Sequence, residues 1–206
     1  TIDRRDFIKT AGATALAISP IGFLSGCGSR TKAPGSEPQK AGEMTYRINE
    51  AKNDKVSILG YGCMRWPMKK NEEGKDIIDQ EKVNELIDYA LEKGVNYFDA
   101  APVYLQGQCE AATGEALSRH PRESYFVATK LSNFNDASRA EGIRMYKASL
   151  EAFRTDYLDY YLLHSIKNAA TFTKRFVDNG LIDFLMEERK AGRIRNLGFS
   201  FHGNKE

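Results

Sequence analysis

Four side chains of this sequence have the types and the spacing of a proton-transfer site: Asp99, Tyr104, Lys130 and His164. The intervals from Asp99 to Lys130 and from Lys130 to His164 are each close to the roughly 30 residues of one strand–helix–strand unit. Tyr104 follows shortly after Asp99, in a segment that is interrupted by Pro102. A carboxylate, a phenol, an ammonium and an imidazole at such intervals indicate a site that donates a proton.

A short apolar run precedes three of these residues along the chain. Tyr97-Phe98 leads to Asp99, residues 125–129 lead to Lys130, and residues 157–163 lead to His164. In a parallel β/α barrel all strands point the same way, so side chains at their ends meet at one rim. The pattern therefore predicts that the four side chains converge.

From Met44 onward, the pattern predicts alternating strands and helices. Tyr46-Arg47-Ile48 and Val56-Ser57-Ile58-Leu59 flank a polar turn, which is typical of a hairpin. Beyond this hairpin, five predicted strands (60–64, 95–98, 124–129, 157–163 and 194–200) alternate with four predicted helices (80–93, 110–118, 139–153 and 178–191). Apolar strands that alternate with helices are typical of a parallel sheet covered by helices.

The first of these helices has the clearest periodicity. Apolar residues recur at helical spacing along one face, and Gly94 then ends the helix; they are Val83, Leu86, Ile87, Ala90 and Leu91. No predicted strand is followed by Gly-x-Gly-x-x-Gly or by a P-loop, so neither nucleotide-binding motif is present.

Composition and charge exclude several classes of protein. The chain has 206 residues, of which 30 are Lys or Arg and 28 are Asp or Glu, for a net charge of +2. This balance gives no electrostatic basis for binding nucleic acid. The three cysteines, Cys27, Cys63 and Cys109, have no metal-ligand spacing and no disulfide framework, so no metal site is predicted. Cys63 and Cys109 are expected to be buried or partly buried small side chains.

The first 27 residues resemble a twin-arginine signal peptide of the lipoprotein type. Arg4 and Arg5 precede an uncharged apolar run over residues 10–23, which suits the h-region of a signal and is short for a membrane span. Leu24-Ser25-Gly26-Cys27 resembles a lipobox, which implies acylation of Cys27. Residues 28–43 are rich in Pro, Gly and Lys and are expected to be a flexible linker. We expect partners in the export machinery and the membrane, and an exported, periplasmic or envelope-anchored protein.

Residues 44–206 resemble the aldo/keto reductases. The resemblance is carried by five stretches: Gly60-Tyr61-Gly62-Cys63-Met64, Tyr97-Phe98-Asp99-Ala100-Ala101 with Tyr104, Ala128-Thr129-Lys130, Leu162-Leu163-His164, and Arg195 leading to Gly198-Phe199-Ser200. It implies an α/β fold, the eight-stranded (β/α)8 TIM barrel. About five of the eight strands lie in this chain, after the N-terminal hairpin. The chain also begins with Thr1, and we expect it to be a fragment. A similar bacterial branch often carries a ferredoxin-like domain with a 4Fe-4S cluster after the barrel, which would lie beyond Glu206.

The resemblance implies an NAD(P)H-dependent enzyme that reduces aldehydes, ketones or quinones. The family's catalytic tetrad corresponds to Asp99, Tyr104, Lys130 and His164. NADP(H), with NAD(H) as the alternative, would contact Gly62, Cys63, Met64, Asp99 and Ser200. The asparagine that usually follows this serine is replaced by Phe201, and His202 is a candidate to replace its hydrogen bond.

The tetrad explains how a tyrosine could act as the acid. A carbonyl oxygen that receives a hydride gains negative charge and must be protonated, yet a tyrosine with a pKa near 10 is a weak acid at neutral pH. A neighbouring ammonium favours the phenolate and brings the phenol closer to the working range. In this scheme Lys130 is the cation, Asp99 pairs with it, and neutral His164 holds the substrate oxygen.

Each of these residues also has a structural interpretation. A lysine at a strand end is usually a solvated side chain, an aspartate there is often a helix cap, and a histidine is often part of a hydrogen-bonded core. A tyrosine in such a loop can simply pack on the rim. A charged stretch at 69–73 is interpreted as a solvated loop. The alternative function is a cofactor-binding or redox-sensing module with the reductase fold and little turnover, for which Phe201 in place of asparagine is an argument.

Overall fold

The computed structural model describes residues 43–135 and 137–204. The predicted signal segment 1–27, with Arg4, Arg5 and Cys27, lies outside the described residues, as do residues 28–42 of the predicted linker. In the described part of the chain, no helix is long and apolar enough to cross a membrane.

Strands and helices alternate through most of the described chain. The strands are β1 (Tyr46–Asn49), β2 (Asp54–Ser57), β3 (Tyr61–Gly62), β4 (Met68–Lys70), β5 (Asp76–Ile78), β6 (Tyr97–Asp99), β7 (Phe126–Leu131), β8 (Leu158–Ile166) and β9 (Ile194–Phe201). The α-helices are α1 (Gln80–Glu92), α2 (Cys109–Leu117), α3 (Arg139–Ala152), α4 (Ala169–Phe172) and α5 (Leu181–Lys190). Short 3-10 turns occur at Cys63–Arg65, Tyr104–Gly107 and Arg122–Ser124, and a π-helical turn at Thr173–Val177 follows α4.

The main sheet has five strands in the order β3-β6-β7-β8-β9. Every neighbouring pair in it is parallel. Strand order therefore follows chain order, with a helical connection between successive strands from β6 to β9, as in the first strands of a TIM barrel. The predicted fold class and the N-terminal hairpin β1–β2 are confirmed.

The core lies between this sheet and its helices. Val83, Ile87 and Ala90 of α1 are buried, and Leu86 and Leu91 pack partly buried against them, as the periodicity predicts. The largest fully buried side chains come from β6, β7, β8, β9 and the helices that cover them: Phe98, Leu117, Leu131, Tyr146, Leu158, Tyr161, Leu163, Phe176, Leu181, Leu185 and Ile194.

The structure corrects four boundaries of the predicted elements. Lys130 lies inside β7, because this strand pairs with β8 as far as Leu131. His164 lies inside β8, because β8 continues beyond an irregularity at Leu163/Ile166 to pair with β9. The helix predicted at 178–191 begins only at Leu181, since Gly180 adopts φ +68. The segment predicted as a solvated loop at 69–73 starts within β4, which pairs with β5 as a second hairpin.

A close approach between α2 and α3 depends on Gly114. A Cβ atom at this position would lie 2.1 Å from the carbonyl oxygen of Ala152 and 2.6 Å from the Cα of Phe153. These are backbone atoms, so they cannot rotate out of the way. The absence of a side chain at Gly114 thus sets the distance between the helices that cover β6 and β7.

Ion pairs connect the N-terminal hairpin to the N-terminal ends of β8 and β9. Arg195 of β9 pairs with Asp54 of β2 and donates to Asp159 of β8 over 2.9 Å. Asp159 also accepts from Arg122 at 2.6 Å and from the backbone N–H of Val127 at 2.9 Å. The Asp159 side chain is only 1% exposed, so these donors replace the water that it loses.

Replacement of Asp159 by Asn should lower the free energy of unfolding by about 3–5 kcal/mol, the usual cost of breaking a buried ion pair. Arg122 would then lose its carboxylate partner, and Arg195 would keep only Asp54. Urea denaturation, followed by circular dichroism, measures the change. The control is Glu85→Gln, which removes an exposed pair with Lys82 and should cost at most about 1 kcal/mol. Equal small losses in both variants would contradict a stabilising role for this network.

Candidate active site

The four residues proposed from the sequence meet at the carboxyl ends of β6, β7 and β8. Asp99 is the last residue of β6 and pairs with Gly62 of β3 and Ala128 of β7. Lys130 lies two residues further along β7. Its Nζ donates to Oδ1 of Asp99 at 2.5 Å and to the carbonyl oxygen of Ala100 at 2.7 Å.

Tyr104 and His164 complete the cluster. Nζ of Lys130 lies 5.0 Å from the centroid of the Tyr104 ring, which is within the range of a cation–π contact. The ring centroids of Tyr104 and His164 are 6.1 Å apart with an interplanar angle of 85°. Lys130 is 5% exposed and His164 is 8% exposed, whereas the side chain of Asp99 is 33% exposed. In this cluster, Lys130 and His164 are thus buried, whereas the carboxylate of Asp99 is more accessible.

Backbone strain follows immediately after two of the four residues. Leu105 and Gln106 have φ of 50° and 56°, and Ser165, directly after His164, has φ of 58°. Left-handed conformations of residues other than glycine cost about 1–3 kcal/mol each and persist only where the surroundings enforce them. The fold therefore enforces backbone conformations, directly after Tyr104 and His164, that these residues do not favour locally.

The surroundings of His164 keep its imidazole neutral. Burial, followed by the positive charge of Lys130 and then by His202 and Arg175, lowers the pKa of His164 to about 4. At neutral pH the imidazole can therefore donate or accept a hydrogen bond but carries no charge.

The neutrality of His164 predicts a dependence of stability on pH. Its pKa in the folded protein is about 4, below the ordinary value near 6.5, so between these values the unfolded chain binds more protons. The free energy of unfolding should then fall by about 3 kcal/mol as the pH drops from 7 to 4. Urea denaturation at both pH values measures it, and His164→Gln should lack this part of the loss. An equal loss in that variant would assign the effect to other groups.

Residues that the sequence did not single out hold the His164 segment. Oγ of Ser132 lies 2.6 Å from Nδ1 of His164. Arg175, in the π-helical turn, donates to the side-chain oxygen of Asn133 and to the carbonyl oxygen of His164, at 2.8 and 2.7 Å. Ser132 lies two residues beyond Lys130 on the same face of the chain, so strand alternation could have found it. Arg175 lies in a connection that carries no such signal.

Glu110 supports β7 from the helix side. Its carboxyl accepts a short hydrogen bond from Thr129, which precedes Lys130, and another from Ser149 of α3 at 2.9 Å. Burial raises the pKa of Glu110. This contact ties α2 and α3 to the strand that carries the lysine.

The five residues predicted to contact a nicotinamide cofactor are placed differently. Asp99 is partly exposed, Gly62 is exposed with open space where a Cβ would stand, and Met64 is exposed. Oγ of Ser200 accepts from the backbone N–H of Ser165 at 2.8 Å. Gly62 lies in β3 and Ser200 in β9, the two edge strands of the sheet, so their joint contact with one cofactor stays a prediction.

Cys63 does not fit that set. It is fully buried, its thiol contacts the carbonyl oxygen of Tyr61, and its carbonyl oxygen accepts from the thiol of Cys109 at 3.2 Å. Burial raises the pKa of both thiols. The expected burial of Cys63 and Cys109 is confirmed, and a cofactor cannot touch Cys63 in this conformation.

Three further observations concern metal ligands, Phe201 and His202. Among residues 43–135 and 137–204, no group of three or more His, Cys, Asp or Glu side chains could hold a metal ion. At the position of the usual asparagine, Phe201 is 53% exposed. The ring of His202 lies 6.4 Å from that of His164, so His202 is near the cluster.

The parallel sheet and the strand-end cluster together define the class as a β/α-barrel protein. The chain belongs to the aldo/keto reductase family, whose family model matches residues 58–206. It is 33% identical to the uncharacterized oxidoreductase YqkF of Bacillus subtilis, over 70% of this chain and 45% of that protein.

Solved structures agree with this assignment. The holo form of aldo-keto reductase AKR11C1 from Bacillus halodurans is 30% identical, with a TM-score of 0.61, over 77% of this chain and 51% of that one. An aldo/keto reductase from Klebsiella pneumoniae in complex with NADP and acetate has a TM-score of 0.57 over 76% of this chain and 49% of that one. Its identity is 23%, so this likeness shows the fold alone. The chain spans about half the length of these proteins.

Proposed function

We propose that this chain is part of an oxidoreductase that reduces a carbonyl substrate, an aldehyde, ketone or quinone, with Tyr104 as the proton donor. The observation that carries the proposal is the convergence of four groups. Lys130 is bonded to Asp99 at 2.5 Å and lies 5.0 Å from the Tyr104 ring, which faces neutral His164. These are the chemical groups that protonation of a developing alkoxide requires.

Each residue of the cluster has one task in this proposal. Lys130 places a buried positive charge 5.0 Å from the Tyr104 ring, where it stabilises the negative charge that develops during proton transfer. Asp99 fixes the position of that charge through its hydrogen bond. His164 holds the substrate oxygen by a neutral hydrogen bond, and Tyr104 delivers the proton to the same oxygen.

We propose NADP(H) as the cofactor, with NAD(H) as the alternative. A bound nicotinamide would supply the hydride, and the residues of this chain would hold the nicotinamide in position. Gly62, Met64, Asp99 and Ser200 are the residues that would hold it, and the NADP complex of the Klebsiella protein with the same fold is consistent with this.

Steady-state oxidation of NADPH with a panel of aldehydes, ketones and quinones tests the proposal. The assay uses the longest protein that carries this sequence, since the chain spans about half of its relatives. Turnover that follows substrate concentration is the expected result. Tight binding of NADPH without turnover would instead favour the cofactor-binding or redox-sensing module.

We further propose that the protein is exported by the twin-arginine route and acylated at Cys27. The support is Arg4-Arg5 ahead of an uncharged run that ends at Leu24-Ser25-Gly26-Cys27. Arg4→Lys together with Arg5→Lys should leave the precursor in the cytoplasm, which cell fractionation measures. A radiolabelled fatty acid should mark the wild-type protein but not Cys27→Ser. Normal arrival of the double-lysine variant in the envelope would exclude the route.

A further inference from the structure

Ser132 and His164 form a buried side-chain pair at the centre of the candidate site. Ser132 is buried, and its Oγ lies 2.6 Å from Nδ1 of His164. The last pair of the β7–β8 register is Leu131 with Leu163, and Ser132 and His164 are the next residue of each segment. The contact thus follows from the pairing of β7 with β8.

The hydrogen-bond inventory of Ser132 decides which atom donates. A serine hydroxyl has one hydrogen, and a buried one needs an acceptor. Within the described part of the chain, Nδ1 of His164 is the acceptor that Oγ of Ser132 reaches. If Nδ1 carried the imidazole proton and donated to Ser132, the serine hydrogen would be left buried without a partner. Donation from Ser132 to a bare Nδ1 satisfies both groups.

We propose that Ser132 is a positioning residue whose hydroxyl donates to Nδ1 of His164 and thereby keeps the imidazole proton on Nε2. A neutral imidazole has one N–H, so a bare Nδ1 requires a protonated Nε2. The geometry of the ring directs Nε2 away from Ser132. Nε2 has no hydrogen-bond partner among the described residues and is not a fully buried atom, so a ligand can reach it.

Arg175 fixes the two segments that carry this pair. It donates through Nε and Nη2 to Oδ1 of Asn133, the residue after Ser132, and through Nη1 to the carbonyl oxygen of His164. Its guanidinium is buried and has no carboxylate partner in the described chain. One side chain therefore holds both the side chain of Asn133, next to Ser132, and the backbone of His164.

The consequence for catalysis rests on the proposed function. An Nε2–H group can donate to the oxygen of a bound carbonyl, and that hydrogen bond strengthens as the oxygen gains charge. The other tautomer would present a lone pair to the same oxygen and repel it. Ser132 would thus select the tautomer that is useful for carbonyl reduction without itself touching the substrate.

The tautomer can be measured without an activity assay. Protein labelled with 15N-histidine is examined by NMR near pH 7, where the shifts of Nδ1 and Nε2 distinguish the two tautomers. We expect His164 to have only Nε2 protonated in the wild type and in Ser132→Thr. In Ser132→Val, which has the shape of threonine without its hydroxyl, and in Ser132→Ala, both tautomers should be populated. A wild-type imidazole protonated on Nδ1, or an unchanged tautomer in Val and Ala, would overturn the proposal.

Kinetics on the longest protein that carries this sequence give a second readout. Relative to Ser132→Thr, turnover of Ser132→Val should fall about five- to tenfold, the order expected for one lost hydrogen bond, with KM for NADPH unchanged. Ser118→Ala, at an exposed serine of the α2 end, is the control and should behave as wild type. Equal turnover in the Thr and Val variants contradicts the positioning role. Absence of carbonyl reduction in the wild type contradicts the proposed function and leaves the NMR test of Ser132 intact.

Discussion

Replacement of Tyr104 by Phe should lower turnover on a carbonyl substrate by about 10²–10⁴-fold, the usual span for one general acid. The change removes a hydroxyl and leaves the ring, so the contact with Lys130 at 5.0 Å and the edge-to-face packing on His164 should persist. Binding of NADPH, measured by fluorescence, should therefore change little. Turnover is measured at saturating substrate on the longest protein that carries this sequence.

A matched control for this variant is Tyr89→Phe, at an exposed tyrosine on α1. It makes the same chemical change at a distance from the cluster and should leave turnover unaltered. If Tyr104→Phe turned over like the wild type, Tyr104 would be excluded as the acid, and His164 would become the candidate.

Replacement of Lys130 by Met should reduce turnover at least as much as Tyr104→Phe. Methionine keeps an unbranched apolar side chain but removes the charge beside Tyr104 and the hydrogen bonds to Asp99 and Ala100. Asp99 would be left without its cation. The expected loss is on the order of 10²–10⁴-fold, because the negative charge that develops during proton transfer loses its stabilising cation.

Combining the two changes tests whether Lys130 acts through Tyr104. Residues that act as one unit give strongly non-additive losses. The double variant Tyr104→Phe with Lys130→Met should therefore be little slower than Lys130→Met alone. A loss equal to the product of the two single losses would show that the lysine acts independently of the tyrosine. Lys69→Met, at a surface lysine that pairs with Asp79, serves as the control.

The strand-end cluster is the part of the molecule that the sequence predicts well. Asp99, Lys130 and His164 recur at the interval of one strand–helix unit, and parallel pairing then brings them to one rim. Their exact place within the strands was not predictable, because the end of β8 depends on its pairing with β9 across an irregular register. Local apolar runs carry no information about that pairing.

Of the residues that hold the His164 segment, some can be predicted from the local sequence pattern and others cannot. Ser132 shares a face with Lys130 and is two residues away, so alternation along the strand points to it. Arg175 reaches Asn133 and His164 from a π-helical turn, which hydrophobic periodicity does not indicate. The burial of Cys63 was expected, yet its assignment to the cofactor set came from the family pattern and not from the environment of the side chain.

The link from Arg195 to Asp54 joins residues 141 positions apart in the chain. Contacts of such long range form slowly, because a large loop must close before they contribute any stability. At a synthesis rate of about 5–20 residues per second, these 141 positions mean that the hairpin β1–β2 would leave the ribosome roughly 7–28 seconds before β9. Until β9 emerges, Asp54 and Asp159 lack their shared arginine. The hairpin is synthesised well before β9 but is among the last elements of the described chain to dock, and a chaperone would have that interval in which to bind it.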